Sequence, residues 1–327
     1  MNIGVIGDGS WATAIIKLLS NNAARIHWYV REKSMLDFIR DHHHNPIYLS
    51  SVEFDPDIVK PSGDILEVIN RSDVIFFVIP SAFFPGTIEK TGLKSFRGKT
   101  IVSAIKGIIP GENITISGYF RERGVETQDY VFVSGPCHAE EVAMERLSYL
   151  TLASENNDLA GKIASLLSCR YIKTVLSKDV GGTEYSSVLK NIMAIAVGIS
   201  TSMGYGDNFN AVLVSNAIRE MKRFLDKIHP APRDIDASVY LGDLAVTAYS
   251  PFSRNRTLGA MIGKGYSVNT ARIEMNMIAE GYYGTKSIRE IYPALGIDMP
   301  ITDAVYNILY EGISPYIELK LLADKLT

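Results

Sequence analysis

The chain has 327 residues, 46% of them hydrophobic and 21% charged, which is enough for two domains with cores of their own. A formal net charge of -3 and a pI near 6.1 argue against a general nucleic-acid binder, while leaving room for a local basic pocket that takes a small anion. Two cysteines, Cys137 and Cys169, make neither a disulfide framework nor a cysteine zinc site, so a reducing compartment, the cytoplasm, is expected. With no signal-like opening and no uncharged apolar run of about 20 residues, stable membrane insertion is not expected.

In chain order, residues 2–6, "NIGVI", form a short apolar run that ends at Gly7. "WATAIIKLLSNN" then carries helical periodicity, and "RIHWYV" supplies a second apolar run, so the three together read as a βαβ unit. Further strands are predicted at "DVIFFVIP" (73–80), "TIVSAIKG" (100–107), "DYVFVSGP" (129–136) and "SYLTLAS" (148–154). Continuous apolar strands of this kind suit a parallel sheet covered on both faces. Past residue 180 the pattern changes to long helices at 183–203, 209–227, 267–292 and 300–325. The expected fold class is therefore α/β: an N-terminal Rossmann-type doubly wound sheet over 1–180, followed by an all-helical C-terminal domain over 181–327.

The turn between the first strand and first helix is "GDGSWA". Gly7 permits the tight turn, Gly9 lets the backbone approach a pyrophosphate, and Ala12 keeps helix and strand close, with the helix N-terminus facing the anion. A dinucleotide, NAD or NADP, is the expected ligand. Arg31 stands 24 residues after Gly7, at the end of the second strand, where an arginine can stack on adenine or meet a 2′-phosphate; Glu32 beside it keeps NAD open.

Lys106 ends the predicted strand in "SAIKG", and the carboxyl ends of parallel strands border the ligand crevice of such a sheet. A lone lysine there is usually solvated; beside a carbonyl substrate it polarises the carbonyl. "SGPCHAEE" follows another strand, with Gly135 allowing close backbone approach and 139–141 starting a helix. The most conspicuous residue is Lys190, inside the apolar run "TEYSSVLKNIMAIAVGI". A lysine there must be paired, or must have its pKa lowered for proton exchange with a reacting oxygen; Asn191 beside it can orient a substrate hydroxyl. In "LGDLAVTAYSPFSRNRTLG", Asp243 can accept hydrogen bonds from a polyol, Ser253 can cap a helix, and the "SRNR" cluster is suited to phosphate. The histidines of "HHHN" at 42–44 cannot all face one ion, and no metal site is expected.

Taken in order, "GDGSWATA", "NPIYL", "SAIKGI", "SGPCHAEE", "VLKNIMAIAVGI", "GYGDNFNA", "LGDLAVT", "SRNR", "IAEG" and "MPITDAVYNILY" resemble the NAD(P)-dependent glycerol-3-phosphate dehydrogenase family along nearly the whole chain. The resemblance implies reduction of dihydroxyacetone phosphate to sn-glycerol 3-phosphate, reversibly, feeding phospholipid synthesis. It implies Lys190 as the proton donor and Lys106 as a second catalytic lysine. It places Lys106, Gly135, Cys137, Asn191, Asp243, Thr247, Ser253, Arg254 and Asn255 at the substrate. Ser10, Trp11, Arg31, Lys106, Ala139, Arg254 and Glu280 are implied at the cofactor. A homodimer is compatible with it. Four features depart from the family pattern: Cys137 and His138 where relatives have Ser or Thr followed by Phe, Asn216 where an arginine is common, Ala12 for glycine, and Tyr185 with two serines in the approach to Lys190. The competing readings are a related hydroxyacid dehydrogenase with a non-phosphorylated substrate and a nucleotide-responsive binding protein without turnover.

Overall fold

The structure, a computed structural model, describes residues 1–275 and 277–327, and the chain divides into two compact units. The first comprises Met1–Ile105 and Ile116–Val180; the second comprises Lys106–Thr115 and Gly181–Thr327.

In the first unit the chain runs β1 (Ile3–Ile6), α1 (Ser10–Leu19), β2 (Ile26–Tyr29), α2 (Lys33–His42), β3 (Val59–Ser62), α3 (Ile65–Arg71), β4 (Val74–Phe77), α4 (Phe84–Glu89) and β5 (Thr100–Ser103). It continues through α5 (Ile116–Glu122), β6 (Tyr130–Ser134), α6 (Ala139–Ala143), β7 (Ser148–Ala153), α7 (Asn157–Leu167) and β8 (Ile172–Ser177). All eight strands form one sheet in the order β3-β2-β1-β4-β5-β6-β7-β8, so the direction of winding reverses between β1 and β4. In β1, β4 and β6 every residue is buried, and since neighbouring side chains point to opposite faces, both faces are covered there. The expected Rossmann-type sheet is present.

Three details differ from the sequence reading. β7, expected as one more parallel strand, pairs antiparallel with β6 and parallel with β8. β3 and β8 carried no strand signal: β3 reads "VKPS", with a lysine and a proline, and β8 is an edge strand with Val175 and Leu176 exposed. The strand expected over 100–107 ends at Ser103, so Lys106 lies beyond it and groups with the helical unit.

The second unit holds α8 (Val180–Ser202, entered at its second residue), α9 (Asp207–Ile228), α10 (Asp243–Tyr249), α11 (Arg254–Gly263), α12 (Val268–Glu274), α13 (Glu280–Ile291), α14 (Pro300–Tyr310) and α15 (Pro315–Ala323). The helices expected over 267–292 and 300–325 are each broken in two, the second where Gly312 takes a positive φ of 69° ahead of Pro315. α8 is buried around its whole circumference from Ser186 to Ser200, which makes it the axis of this unit's core. α9 reaches α14 through the buried Glu220, whose carboxylate accepts from the Ile301 N–H (2.9 Å), the Thr302 N–H (2.9 Å) and the Thr302 hydroxyl (2.7 Å). Those bonds cap a helix that starts at a proline and has no cap of its own; burial nonetheless pushes the Glu220 carboxyl up to about 7. Among the described residues no helix is long and apolar enough to cross a membrane.

α8 and α11 touch backbone to backbone. A Cβ on Gly198 would fall on the Arg256 carbonyl oxygen, and one on Gly259 would fall on the Ile195 carbonyl oxygen. Neither oxygen can move without moving its helix. Gly259→Ala should therefore lower the unfolding free energy by about 1–3 kcal/mol or more, the usual cost of overpacking, read as a lower urea midpoint at unchanged m-value.

Candidate active site

In the first unit, the turn after β1 lies where the sheet's winding reverses, the position at which open α/β sheets hold ligands. Gly7 has φ 136°, and a Cβ there would strike the Val78 carbonyl, so glycine is required by both conformation and space. Its own carbonyl accepts a 2.7 Å bond from the Trp28 indole N–H. The Asp8 carbonyl accepts from Asn45 Nδ2 at 3.1 Å, and the Asp8 carboxylate accepts from the Arg31 N–H at 3.1 Å. Asn45 is fully buried and itself held, its Oδ1 accepting from the Ile47 and Tyr48 N–H groups at 3.0 and 2.9 Å. The turn is thus fastened through its carbonyls and carboxylate.

α1 has Gly9 as its N-cap residue, which brings no capping side chain, and a Cβ there would meet nothing within 4 Å. This open cradle at a helix N-terminus fits a pyrophosphate. Ser10 and Ala12 are buried and Trp11 is half-buried in the first turn, while Arg31 is exposed and pairs with Glu32 at 3.1 Å. Ala139 is buried and opens α6, as expected. At Gly135 the backbone that comes close is that of β7: at φ 113° its missing Cβ makes room for the Tyr149 carbonyl, 2.9 Å from where that Cβ would stand. Cys137 is buried close by in sequence.

In the second unit, Lys190 and Asp243 form a pair with Nζ and Oδ1 2.5 Å apart and side chains 4% and 2% exposed. Burial drives the lysine pKa down, the Asp243 carboxylate pulls it back up, and the Lys106 ammonium lowers it again; it settles at about 7. The sequence showed Lys190 as a misfit charge but not its partner, which lies on α10. Ser186 and Ser187, one turn before the lysine, turn their hydroxyls back onto the carbonyls of Thr183 and Glu184.

The segment 106–115 is tied to the helices at both ends. The Lys106 carbonyl accepts from Asn191 Nδ2 at 3.1 Å, Ile108 is buried in the helical core, and Asn113 Nδ2 donates to Glu290 on α13 at 2.7 Å. The structure thereby brings together Lys106, Lys190, Asn191 and Asp243. Asn255 joins them, its Nδ2 donating to Asn191 Oδ1 at 2.9 Å while its Oδ1 accepts from the Gly281 N–H at 2.8 Å. Asn191, expected to orient a substrate hydroxyl, uses its amide oxygen to accept from Asn255 and one N–H to donate to the Lys106 carbonyl.

Ser253 caps α11, its hydroxyl accepting from the Arg256 N–H at 3.3 Å, and Arg254 is the first residue of that helix. Thr247 lies one turn after Asp243, its hydroxyl donating to the Asp243 carbonyl at 2.6 Å. Glu280 opens α13 next to Gly281, a residue the sequence reading passed over. The departing residues have local structural tasks: Asn216 bonds Thr327 through both ends of its amide, and the Tyr185 ring packs edge-on against Phe224. Among the described residues no group of three or more His, Cys, Asp or Glu could hold a metal ion.

A family model for the N-terminus of NAD-dependent glycerol-3-phosphate dehydrogenase matches residues 2–160, and one for its C-terminus matches residues 179–320. The chain belongs to the NAD-dependent glycerol-3-phosphate dehydrogenase family. It is 34% identical over 323 residues to a glycerol-3-phosphate dehydrogenase [NAD(P)+] of Exiguobacterium sp., covering 98% of this chain and 94% of that one. It is 32% identical to a protein of the same name from Chlorobium limicola, over 95% and 94% of the two chains. A solved glycerol-3-phosphate dehydrogenase from Coxiella burnetii superposes with a TM-score of 0.92 at 26% identity, over 98% of each chain.

A buried ion pair is a poor source of stability, since desolvating two charges offsets most of their attraction. Asp243→Leu alone should therefore cost about 3–5 kcal/mol, whereas the double variant Lys190→Met/Asp243→Leu should be at least as stable as the wild type. Urea unfolding of the three proteins checks both statements.

Proposed function

We propose that the protein reduces dihydroxyacetone phosphate to sn-glycerol 3-phosphate with NAD(P)H, reversibly, and so supplies glycerol phosphate for phospholipid synthesis. The observation that carries this reading is the buried Lys190–Asp243 pair with Lys106 beside it, in a unit whose α11 begins with Arg254. The first unit is the dinucleotide-binding domain and the second the substrate-binding and catalytic domain.

Gly7, Gly9, Ser10, Trp11 and Ala12 receive the pyrophosphate, and Arg31 stands where it can meet adenine or a 2′-phosphate. Bound NAD(P)H supplies the hydride that adds to the substrate's carbonyl carbon. Lys190 gives the proton on Nζ to the carbonyl oxygen as negative charge develops there, and Asp243 holds the ammonium in place for that transfer. Lys106, as a second cation, polarises the same carbonyl. Arg254, at the N-terminus of α11, takes the phosphate, with the remaining N–H of the Asn255 amide available to it. Binding energy from this remote phosphate is used to align the reacting carbon. Cys137 and Cys169 are not joined in a disulfide, which is in keeping with a reducing cellular compartment.

Purified protein mixed with dihydroxyacetone phosphate and either NADH or NADPH should consume the reduced cofactor. Absence of turnover with both would replace the enzyme by a binding protein, and turnover only with non-phosphorylated oxo acids would replace the substrate. Lys190→Ala should lower kcat by about 10²-fold or more, as expected for loss of a general acid, with little change in cofactor affinity.

The two directions should respond oppositely to pH. Reduction needs Lys190 protonated and oxidation needs it unprotonated, and its pKa is lowered to about 7. Thus kcat/KM for dihydroxyacetone phosphate should fall as pH rises through about 7, while kcat/KM for glycerol 3-phosphate rises over the same interval. Initial rates measured in both directions across that range check the sign.

A further inference from the structure

Three hydrogen bonds run in one direction through the helical unit. The Gly281 N–H on α13 donates to Asn255 Oδ1 at 2.8 Å, Asn255 Nδ2 donates to Asn191 Oδ1 at 2.9 Å, and Asn191 Nδ2 donates to the Lys106 carbonyl at 3.1 Å. The row starts at a backbone group that can only donate and ends at one that can only accept. Both amides between them are therefore oriented without ambiguity: a reversed Asn255 would set its NH₂ against the Gly281 N–H, and a reversed Asn191 would set its oxygen against the Lys106 carbonyl. Asn191 and Asn255 are 5% and 7% exposed, so a broken link would leave polar groups unpaired away from water.

Gly281 is confined by the same contacts. A Cβ on it would stand 2.6 Å from the Asn191 carbonyl oxygen, 2.8 Å from that carbonyl carbon and 2.9 Å from Asn255 Oδ1. Two of these are backbone atoms of α8. Without a side chain at 281, α13 comes close enough to α8 for its N–H to reach Asn255.

We infer that Gly281 and Asn255 are positioning residues for Lys106, holding its backbone through the Asn191 amide so that its ammonium stays beside Lys190. This assignment rests on the dehydrogenase reading for its catalytic meaning, but the arrangement itself is physical and can be tested without turnover. The charged groups acting on Lys190 are Asp243 from α10 and Lys106 from the 106–115 segment. Asp243 takes no part in the three bonds, so loosening them should act through Lys106.

The test is an NMR titration of the full chain carrying ¹³C at lysine Cε, with the Lys190 resonance assigned by its loss in Lys190→Met. In the wild type the Lys190 midpoint should lie near 7. In Asn255→Ala and Gly281→Ala it should move up by roughly half a unit or more, because a like charge is no longer held close. In the Lys106→Met background, where that charge is already gone, the same substitutions should produce little further shift. Asn255→Ala only removes atoms, so it carries the test should Gly281→Ala fail to fold. An unmoved midpoint in the folded variants, or an upward shift that persists undiminished with Lys106→Met, would overturn the inference. Absent NAD(P)H consumption by the wild type would instead strike the dehydrogenase reading and leave this titration result standing.

Discussion

A lysine ammonium taken out of water must be compensated, and the helical unit is arranged around the compensation of Lys190. α8 is buried around its circumference over the stretch that carries this residue, and the Lys190 side chain is buried with it. Asp243 on α10 supplies the opposite charge at 2.5 Å, and Lys106 supplies a like charge that offsets part of it. The result is an ammonium whose proton is loosely held near neutrality. Such a pair contributes little to stability, which is the physical ground for the proposed role of Lys190 in proton exchange.

The surrounding helices are set by contacts that leave little freedom. Gly198 and Gly259 let α8 and α11 meet at their backbones, which fixes where the N-terminus of α11, with Arg254 and Asn255, stands along α8. Gly281 does the same for α13. The glycines here serve close approach between helices. The first unit uses the same economy in its β1–α1 turn: Trp28 and Asn45 occupy the carbonyls of Gly7 and Asp8, and nothing stands where a Gly9 side chain would be. The two anion sites of the proposed function fall at helix starts, one at α1 and one at α11.

Much of this was legible in the residues. Uninterrupted apolar runs revealed β1, β4 and β6, a long, mostly apolar or small run revealed α8, and helical patterning revealed α9, because buried strands and helices write their burial into consecutive positions. β3 and β8 were not legible: a strand with a lysine and a proline, and an edge strand with exposed aliphatics, are strands only because a neighbour pairs with them. The breaks between α12 and α13 and between α14 and α15 were also hidden, since apolar spacing continues across them. Among site residues, Lys190 stood out as a charge in an apolar run and Gly7 and Gly9 by their spacing, whereas Gly281 fell without distinction inside the helix expected over 267–292.

By itself the sequence determined the fold class, the turn that can cradle a pyrophosphate, the misfit lysine and, through the ordered motifs, the family. These depend on patterns within a few residues or on their order along the chain, so they can be read in one dimension. Only the tertiary structure decided that Lys106 belongs with the helices, that Asp243 is the partner of Lys190, and that Asn191 and Asn255 spend amide groups on each other. The residues concerned are 85 apart in the Asn191–Lys106 bond and 64 apart in the Asn255–Asn191 bond. Hydrogen bonds and charge pairs act over a few ångströms of space, and separation along the chain leaves no periodicity from which such a meeting could be read.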